Sequence, residues 1–189
     1  MISCFKGKFK VTSPRAYRYL FSNEFHPGLD LVALGTDKNI YAIADGKVDA
    51  TPYEANGFGY YVRQLLPDGR RVYYGHMQAG SIVVKAGQSI KKGDKLGVMG
   101  NTGNSTGAHC HLELRIPGTS KTSLDICEFT GIPNKVGTYE ADGSSLKCDL
   151  DTLVQHKVIN SPEYWLNKAP TVKYLPELIH NMAEKLREG

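Results

Sequence analysis

The stretch His109-Cys110-His111-Leu112-Glu113-Leu114 decides how this chain folds. Polar and apolar side chains alternate along it, which is typical of a β-strand with one face in the core. His109, His111 and Glu113 then share one face, and the residues between them point into the core. Alternate residues of a strand lie about 6–7 Å apart, so both imidazoles can reach one site. Cys110 is not expected to be a ligand.

Short strands separated by glycine turns extend outward from this stretch over residues 39–116. Tyr60–Leu66 has the composition of a strand, Pro67-Asp68-Gly69 that of a turn, and Arg71–Tyr74 begins the return strand. Strands this short and closely spaced predict an antiparallel sheet rather than β-α-β units. We therefore expect a mainly β fold, built as an antiparallel sheet or sandwich.

The sequence changes character near its C-terminal end. Ser161-Pro162-Glu163 has the cap, the proline and the acidic residue of a helix start. Apolar residues then recur at helical spacing from Val172 to Leu186, and their stripe must cover some other surface. We predict a β domain over residues 1–137 and a short α-helical segment over residues 138–189.

Composition restricts the class of protein. The chain has 189 residues, of which 41% are hydrophobic, enough for one domain with a substantial core. A formal charge of +4 is a weak signal that permits an anionic polymer as partner, and we expect no nucleic acid. The cysteines form neither a Cys-x-x-Cys pair nor a disulfide framework, which favours synthesis in a reducing compartment; they are Cys4, Cys110, Cys127 and Cys148.

The N-terminal residues show no secretory signal. Met1 to Gly7 is not followed by the apolar run of about 7–15 residues that a signal peptide needs. No stretch approaches the roughly 20 apolar residues of a membrane span, so we expect no membrane insertion.

Two further motifs carry histidines. They are His26-Pro27-Gly28-Leu29-Asp30 and Tyr74-Gly75-His76-Met77. His26 and Asp30 offer an imidazole and a carboxylate, both good Zn²⁺ ligands. Two nitrogens and one oxygen would leave a fourth tetrahedral position for water, as in a catalytic zinc site. Each motif is weak alone, but their combination is specific.

The three histidine motifs resemble the signature motifs of the lysostaphin and LytM family of zinc peptidases, whose fold is the duplicated hybrid motif. The segments Ala42–Val48 and Gly100–Gly103 match it too, and the resemblance covers roughly residues 9–116. It implies a zinc metalloendopeptidase that hydrolyses peptide bonds of bacterial peptidoglycan. It also implies one Zn²⁺ bound by His26, Asp30 and His111, and a catalytic role for His76 and His109.

The resemblance leaves the roles of several residues open. His76 or His109 could be the general base, since the pKa of an imidazole lies near neutrality. Glu113 could orient an imidazole or be a plain solvated carboxylate. Tyr17 and Tyr19 precede the first ligand, and a hydroxyl there could steady an oxyanion or simply pack.

Arg15 and Arg18 also precede the first ligand. They could meet carboxylates of a substrate or be ordinary surface charge.

The biological setting rests on the C-terminal residues. Val158–Trp165 is similar to stretches at the ends of phage-encoded wall hydrolases. With no signal peptide, this favours an endolysin made in the host cytoplasm and acting on the cell wall after release. The C-terminal helices could pack on the β domain, target the wall or form a homodimer.

Two other functions stay open. The chain could be a catalytically inactive wall-binding or regulatory member of the same fold, although every ligand position is filled. It could also be a sugar-transport phosphocarrier, which has related hairpins and an active-site histidine pair but no need of Asp30. The peptide bond cut and the bacterial species are not decided by the sequence.

Overall fold

The structure is a computed structural model that describes residues 1–18, 24–116 and 122–141. These residues are almost entirely in strands and turns, which confirms the predicted mainly β class. The elements in chain order are β1 (Gly7–Ser13), β2 (Ala16–Tyr17), β3 (Phe25–His26), β4 (Leu29–Ala33), β5 (Asn39–Tyr41), β6 (Gly46–Ala50), β7 (Tyr53–Glu54), β8 (Gly59–Leu65), β9 (Arg71–Met77), β10 (Ser89–Ile90), β11 (Lys95–Val98), β12 (Cys110–Arg115), β13 (Ser123–Leu124), α1 (Ile126–Thr130) and β14 (Gly137–Ala141).

One large sheet organises the described residues. Its strands follow the order β10-β6-β8-β9-β12-β4-β1-β14, with β13 beside β12 and β7 beside β8. Every pairing along this order is antiparallel, as the short hairpins predicted. The described residues also form two smaller ladders, β11-β5 and β2-β3.

β12 lies between β9 and β4, and this position brings the three histidine motifs together. His111 on β12 is the register partner of Asp30 on β4. On its other side, Leu112 is the register partner of Tyr74 on β9, the strand that also carries His76. Motifs far apart in the sequence thus become neighbours across two strand pairings.

The core lies under the face of β12 that alternation predicted. Cys110, Leu112 and Leu114 are at most 1% exposed. Tyr74 is also fully buried, and its hydroxyl donates to Gln64 Oε1 at 2.6 Å and accepts from the Ile43 amide at 3.0 Å. The polar groups in this core are therefore hydrogen-bonded, as burial requires.

α1 is a short helix held at both ends. The Asp125 side chain accepts a hydrogen bond from the Cys127 amide at its start. Gly131 ends it with φ of 72°, a left-handed conformation that suits glycine. Among the described residues, no helix is long and apolar enough to cross a membrane.

The sheet continues past residue 137, where the sequence suggested that the β domain ends. β14 pairs along β1, from Val11 opposite Gly137 to Gly7 opposite Ala141. The compact unit that contains the sheet spans Ser3–Ala141, and we call it the β unit. The predicted helices begin after it and lie outside the described residues, so the division at 137/138 stays a prediction.

Candidate metal centre and active site

His26 on β3 meets Asp30 on β4 and His111 on β12, and β4 and β12 are neighbours near the middle of the large sheet. His26 Nε2 lies 3.0 Å from Asp30 Oδ1 and 3.0 Å from His111 Nδ1, and Asp30 Oδ1 lies 2.9 Å from His111 Nδ1. All three residues are buried, and their ligand atoms lie close enough together to hold one metal ion. The structure thus gathers the predicted ligand set, and metal binding itself stays a prediction.

Gly28 lets the first motif approach β12. A Cβ atom at this position would lie 2.5 Å from the Leu112 carbonyl oxygen and 2.8 Å from His111 Nε2. Both distances are shorter than van der Waals contact, and the carbonyl belongs to the backbone of a central strand. Only glycine therefore fits at position 28 without a shift of β12 or of the His111 side chain.

Each ligand histidine is oriented by a hydrogen bond from its other nitrogen. His26 Nδ1 donates to the Pro14 carbonyl at 2.8 Å, because a carbonyl can only accept. His111 Nε2 donates to the Glu113 carboxylate at 3.1 Å. These bonds leave His26 Nε2 and His111 Nδ1 facing Asp30, the arrangement expected of metal-ligating histidines.

Glu113 is a buried partner of the ligand set rather than a solvated carboxylate. Its side chain is 1% exposed, and Arg115 Nε donates to Oε1 at 2.6 Å. Burial alone would raise the pKa of Glu113, but hydrogen bonds with His111 and Arg115 outweigh it and lower the pKa. Glu113 therefore stays charged and supports the orientation of His111.

The electrostatics of the ligand set suit a cation. Burial would raise the pKa of Asp30, yet hydrogen bonds with His111 and His26 bring that pKa well below its usual value. Against the effect of burial, Asp30 and Glu113 raise the pKa of His111 to about 9. The site thus attracts positive charge, which a proton supplies when no metal does, and a metal would displace that proton.

His76 and His109 form a second imidazole pair beside the ligands. Their ring centroids lie 4.6 Å apart, and His109 Nε2 is 3.5 Å from Asp30 Oδ1. His76 Nδ1 donates to the Thr102 carbonyl at 2.8 Å, and His109 Nδ1 donates to the Gly107 carbonyl at 2.7 Å. In both rings Nε2 is therefore the nitrogen that can accept a proton.

His76 also has an unusual backbone. Its φ is 58°, which makes it the non-glycine residue with positive φ in the part of the chain that the structure describes. Such conformations cost about 1–3 kcal/mol and are concentrated at functional sites. Burial above all, with His109 and His111 nearby, lowers the pKa of His76 to about 4 despite the Thr102 hydrogen bond. In this environment the imidazole is neutral.

A cleft of about 370 Å³ is lined by the three predicted ligands together with His76 and His109. Its volume is that of a small-ligand or peptide site. Its walls come from the β2–β3 hairpin, from the loop before β8 and from the loop before β12. The other residues that line the cleft are Arg18, Pro27, Glu54, Gly57, Phe58, Asn104, Ser105, Thr106, Glu113 and Arg115.

The two tyrosines predicted near the first ligand have different outcomes. Tyr17 packs against Phe25 with ring centroids 5.1 Å apart and the rings tilted by 57°, is 58% exposed, and is not among the described residues that line the cleft. This contact supports the packing alternative, and the role of Tyr17 stays a prediction. Tyr19 lies outside the described residues, so its role stays a prediction.

Thr102 supports the site in a way that sequence reasoning missed. Its carbonyl accepts from His76, while its hydroxyl accepts from the Tyr60 amide at 3.0 Å and donates to the Met77 carbonyl at 2.7 Å. A Cβ on Gly59 would lie 2.4 Å from Thr102. The glycines of these loops were the available signal, because they mark close backbone approach.

Sequence comparison finds metalloprotease relatives of this chain. A family model described as Peptidase family M23 matches residues 24–123. An uncharacterized metalloprotease of Haemophilus influenzae is 41% identical over 102 residues, which cover 53% of this chain and 21% of that protein. Peptidoglycan DD-endopeptidase ShyA of Vibrio cholerae is 35% identical over 116 residues, which cover 58% of this chain and 25% of that protein. The chain spans about a quarter or less of these relatives.

Solved structures agree as well. The catalytic domain of lysostaphin from Staphylococcus simulans is 27% identical with a TM-score of 0.56, covering 65% of this chain and 91% of that one. A variant catalytic domain of the prophage-encoded M23 protein EnpA from Enterococcus faecalis is 34% identical with a TM-score of 0.54, covering 61% and 87%. The resemblance seen in the motifs is thereby confirmed, and the chain belongs to peptidase family M23.

Proposed function

We propose that the β unit is a zinc-dependent endopeptidase that hydrolyses peptide bonds of bacterial peptidoglycan. The observation that carries this proposal is the buried ligand set of His26, Asp30 and His111 at the cleft, with two more imidazoles beside it. Membership of family M23 supports the peptidase activity. The relative named a peptidoglycan DD-endopeptidase supports the substrate.

The donor set fits zinc better than other common metals. Two imidazole nitrogens and one carboxylate oxygen suit Zn²⁺, whereas Ca²⁺ and Mg²⁺ prefer oxygen ligands alone. Bound zinc would polarise the scissile carbonyl and lower the pKa of a water molecule. His26, Asp30 and His111 would hold the ion, since their facing atoms are already oriented toward one another.

His76 and His109 are proposed to move protons and to hydrogen-bond the oxygen that becomes negatively charged. Each has its Nδ1–H donated to a backbone carbonyl, so each presents Nε2 for proton exchange. This chain has no His-Glu-x-x-His sequence, so the glutamate base of that metalloprotease class is missing. A pair of imidazoles can do this work near neutral pH.

The test is zinc-dependent digestion of purified peptidoglycan. Protein stripped with a chelator is compared with protein reloaded with zinc, and mass spectrometry identifies the bonds cut. We expect new peptide termini only after reloading. His111→Ala should lose zinc, whereas His76→Ala and His109→Ala should keep zinc and lose activity by about 10²–10⁴-fold. Equal cleavage by the stripped protein, or cleavage of glycan bonds alone, would refute the proposal.

The rival functions are less well supported. Family membership argues against a sugar-transport phosphocarrier, and the filled ligand set argues against an inactive wall-binding member. We also propose that the enzyme acts on the wall after release from the host cytoplasm during phage-induced lysis. The similarity of residues 158–165 to phage wall hydrolases supports this setting. Cells that express the chain should then lyse only when their membrane is permeabilised, and spontaneous lysis would contradict it.

A further inference from the structure

Arg18 contacts the carboxylate oxygen that the two ligand histidines do not use. Its Nη2 donates to Asp30 Oδ2 at 2.9 Å and to Ser13 Oγ at 2.9 Å. The other oxygen, Asp30 Oδ1, faces His26 Nε2 and His111 Nδ1. The two oxygens of one carboxylate are therefore divided between a guanidinium and the metal-ligand cluster.

The backbone fixes Arg18 relative to the ligands. Its amide donates to the Glu24 carbonyl at 2.8 Å, next to the β2–β3 pairing in which Ala16 is opposite His26. The same hairpin thus carries Arg18 and the first ligand histidine. The side chain of Arg18 is 38% exposed where it lines the cleft, and that of Asp30 is 13% exposed.

This division has a consequence for coordination. A carboxylate can bind a metal through one oxygen or through both. A charge-assisted hydrogen bond from a guanidinium is among the stronger hydrogen bonds in proteins, and it engages Oδ2 here. With Oδ2 engaged, Asp30 offers Oδ1 alone, so a coordination position that Oδ2 could fill stays available for water or substrate.

We propose that Arg18 is a positioning residue of the metal centre, which restricts Asp30 to one ligand oxygen. The inference rests on the proposed zinc site, but it concerns a residue outside the ligand set. It also separates Arg18 from the two roles that its sequence position suggested, the binding of substrate carboxylates and ordinary surface charge.

The experiment compares Arg18→Gln and Arg18→Lys with wild type, and uses Arg70→Gln as the matched control. Arg70 pairs with Asp68 at 2.6 Å in a turn and is not among the cleft-lining residues that the structure describes. Zinc affinity, the visible spectrum of the cobalt(II)-loaded protein, and kcat and KM are measured for each. Cobalt(II) absorbs visible light more strongly in four-coordinate sites than in five- or six-coordinate sites.

We expect Arg18→Gln to weaken zinc binding by about 10–100-fold, as loss of a partner of a metal ligand does. Its cobalt absorption should also fall, because Asp30 can then offer both oxygens. The value of kcat should fall while KM changes little. Arg18→Lys should recover part of each effect, since an ammonium still supplies a charged donor, and Arg70→Gln should match wild type.

The possible failures are distinguishable. If wild-type protein binds no zinc, the proposed function and this inference both fail. If wild type binds zinc and Arg18→Gln leaves affinity and cobalt spectrum unchanged, only the inference fails. A higher KM with unchanged metal binding would also overturn it and make Arg18 a substrate-binding residue. Thermal unfolding of the metal-free proteins checks that each variant folds. If Arg18→Gln does not fold, the zinc affinity and cobalt spectrum of Arg18→Lys test the inference instead.

Discussion

Single hydrogen bonds decide which atom of each ligand faces the metal position. The Pro14 carbonyl orients His26, and the Glu113 carboxylate orients His111. Each bonds the ring nitrogen that faces away from Asp30, and so determines which nitrogen is presented toward Asp30. Of the two, only the Glu113 side chain can be tested by substitution, since a carbonyl belongs to the backbone.

Glu113→Gln should reduce zinc affinity by about 10–100-fold. Glutamine keeps the shape of the side chain but loses the negative charge of the carboxylate, whose two oxygens accept hydrogen bonds from His111 and Arg115. Titration of the metal-free protein with zinc measures the change, and activity should return at high zinc concentration. Glu140→Gln, at an exposed position of β14, is the control. Unchanged zinc affinity in Glu113→Gln would show that His111 does not depend on this carboxylate.

At the scale of elements, the loop before β12 is in close contact with the start of β8 at Thr102. Gly59 has φ of 63°, and Gly103 would place a Cβ 2.2 Å from the Gly59 amide nitrogen. Contact this close requires glycine on both sides. Because the same threonine accepts the hydrogen bond from His76, the loop contact and the orientation of the His76 imidazole are coupled.

Gly59→Ala should lower kcat/KM by at least about 10-fold while zinc content stays unchanged. The added Cβ would collide with Thr102 and displace the carbonyl that orients His76. Positioning losses of this kind carry large kinetic costs. Gly80→Ala is the matched control, because Gly80 has φ of 72° but its Cβ would meet nothing within 4 Å. In both variants the left-handed backbone should lower the free energy of unfolding by about 1–2 kcal/mol. Equal activity of the two variants would refute the coupling between the loop contact and His76.

At the scale of the whole molecule, β14 is the last strand of the β unit. Tyr139 on β14 lies against Phe9 of β1, with ring centroids 6.0 Å apart. β1 in turn pairs with β4, the strand that carries Asp30. The last strand of the β unit is therefore two strands from the one that carries Asp30, a predicted metal ligand.

A chain that ends at Ala141 should keep zinc binding and hydrolysis of soluble peptides. A chain that ends at Val136 should be less stable by more than about 2 kcal/mol, since it loses β14 and the burial of Tyr139 on Phe9. Thermal and denaturant unfolding measure this difference. Sedimentation onto purified cell walls compares both chains with the full chain. Equal stability of the two truncated chains would contradict the role of β14.

The sequence by itself determined the β class and pointed to the three residues that the structure brings together as a candidate metal site. Both depend on local information: the alternation in 109–114 follows from strand geometry, and the motif spacing carries the resemblance to the family. The prediction that Cys110, Leu112 and Leu114 face the core is correct for the same reason, because it depends only on the two-residue period of a strand.

Only the tertiary structure decided what surrounds those residues. Glu113 could be solvated or buried from its sequence, and the neighbouring strands and Arg115 settle that it is buried. Arg18 follows the strand that pairs with β3 and bonds to Asp30 on β4. His76 has a left-handed backbone and bonds to Thr102. These features depend on contacts between segments distant in the chain, and a pattern of neighbouring residues carries no information about such contacts.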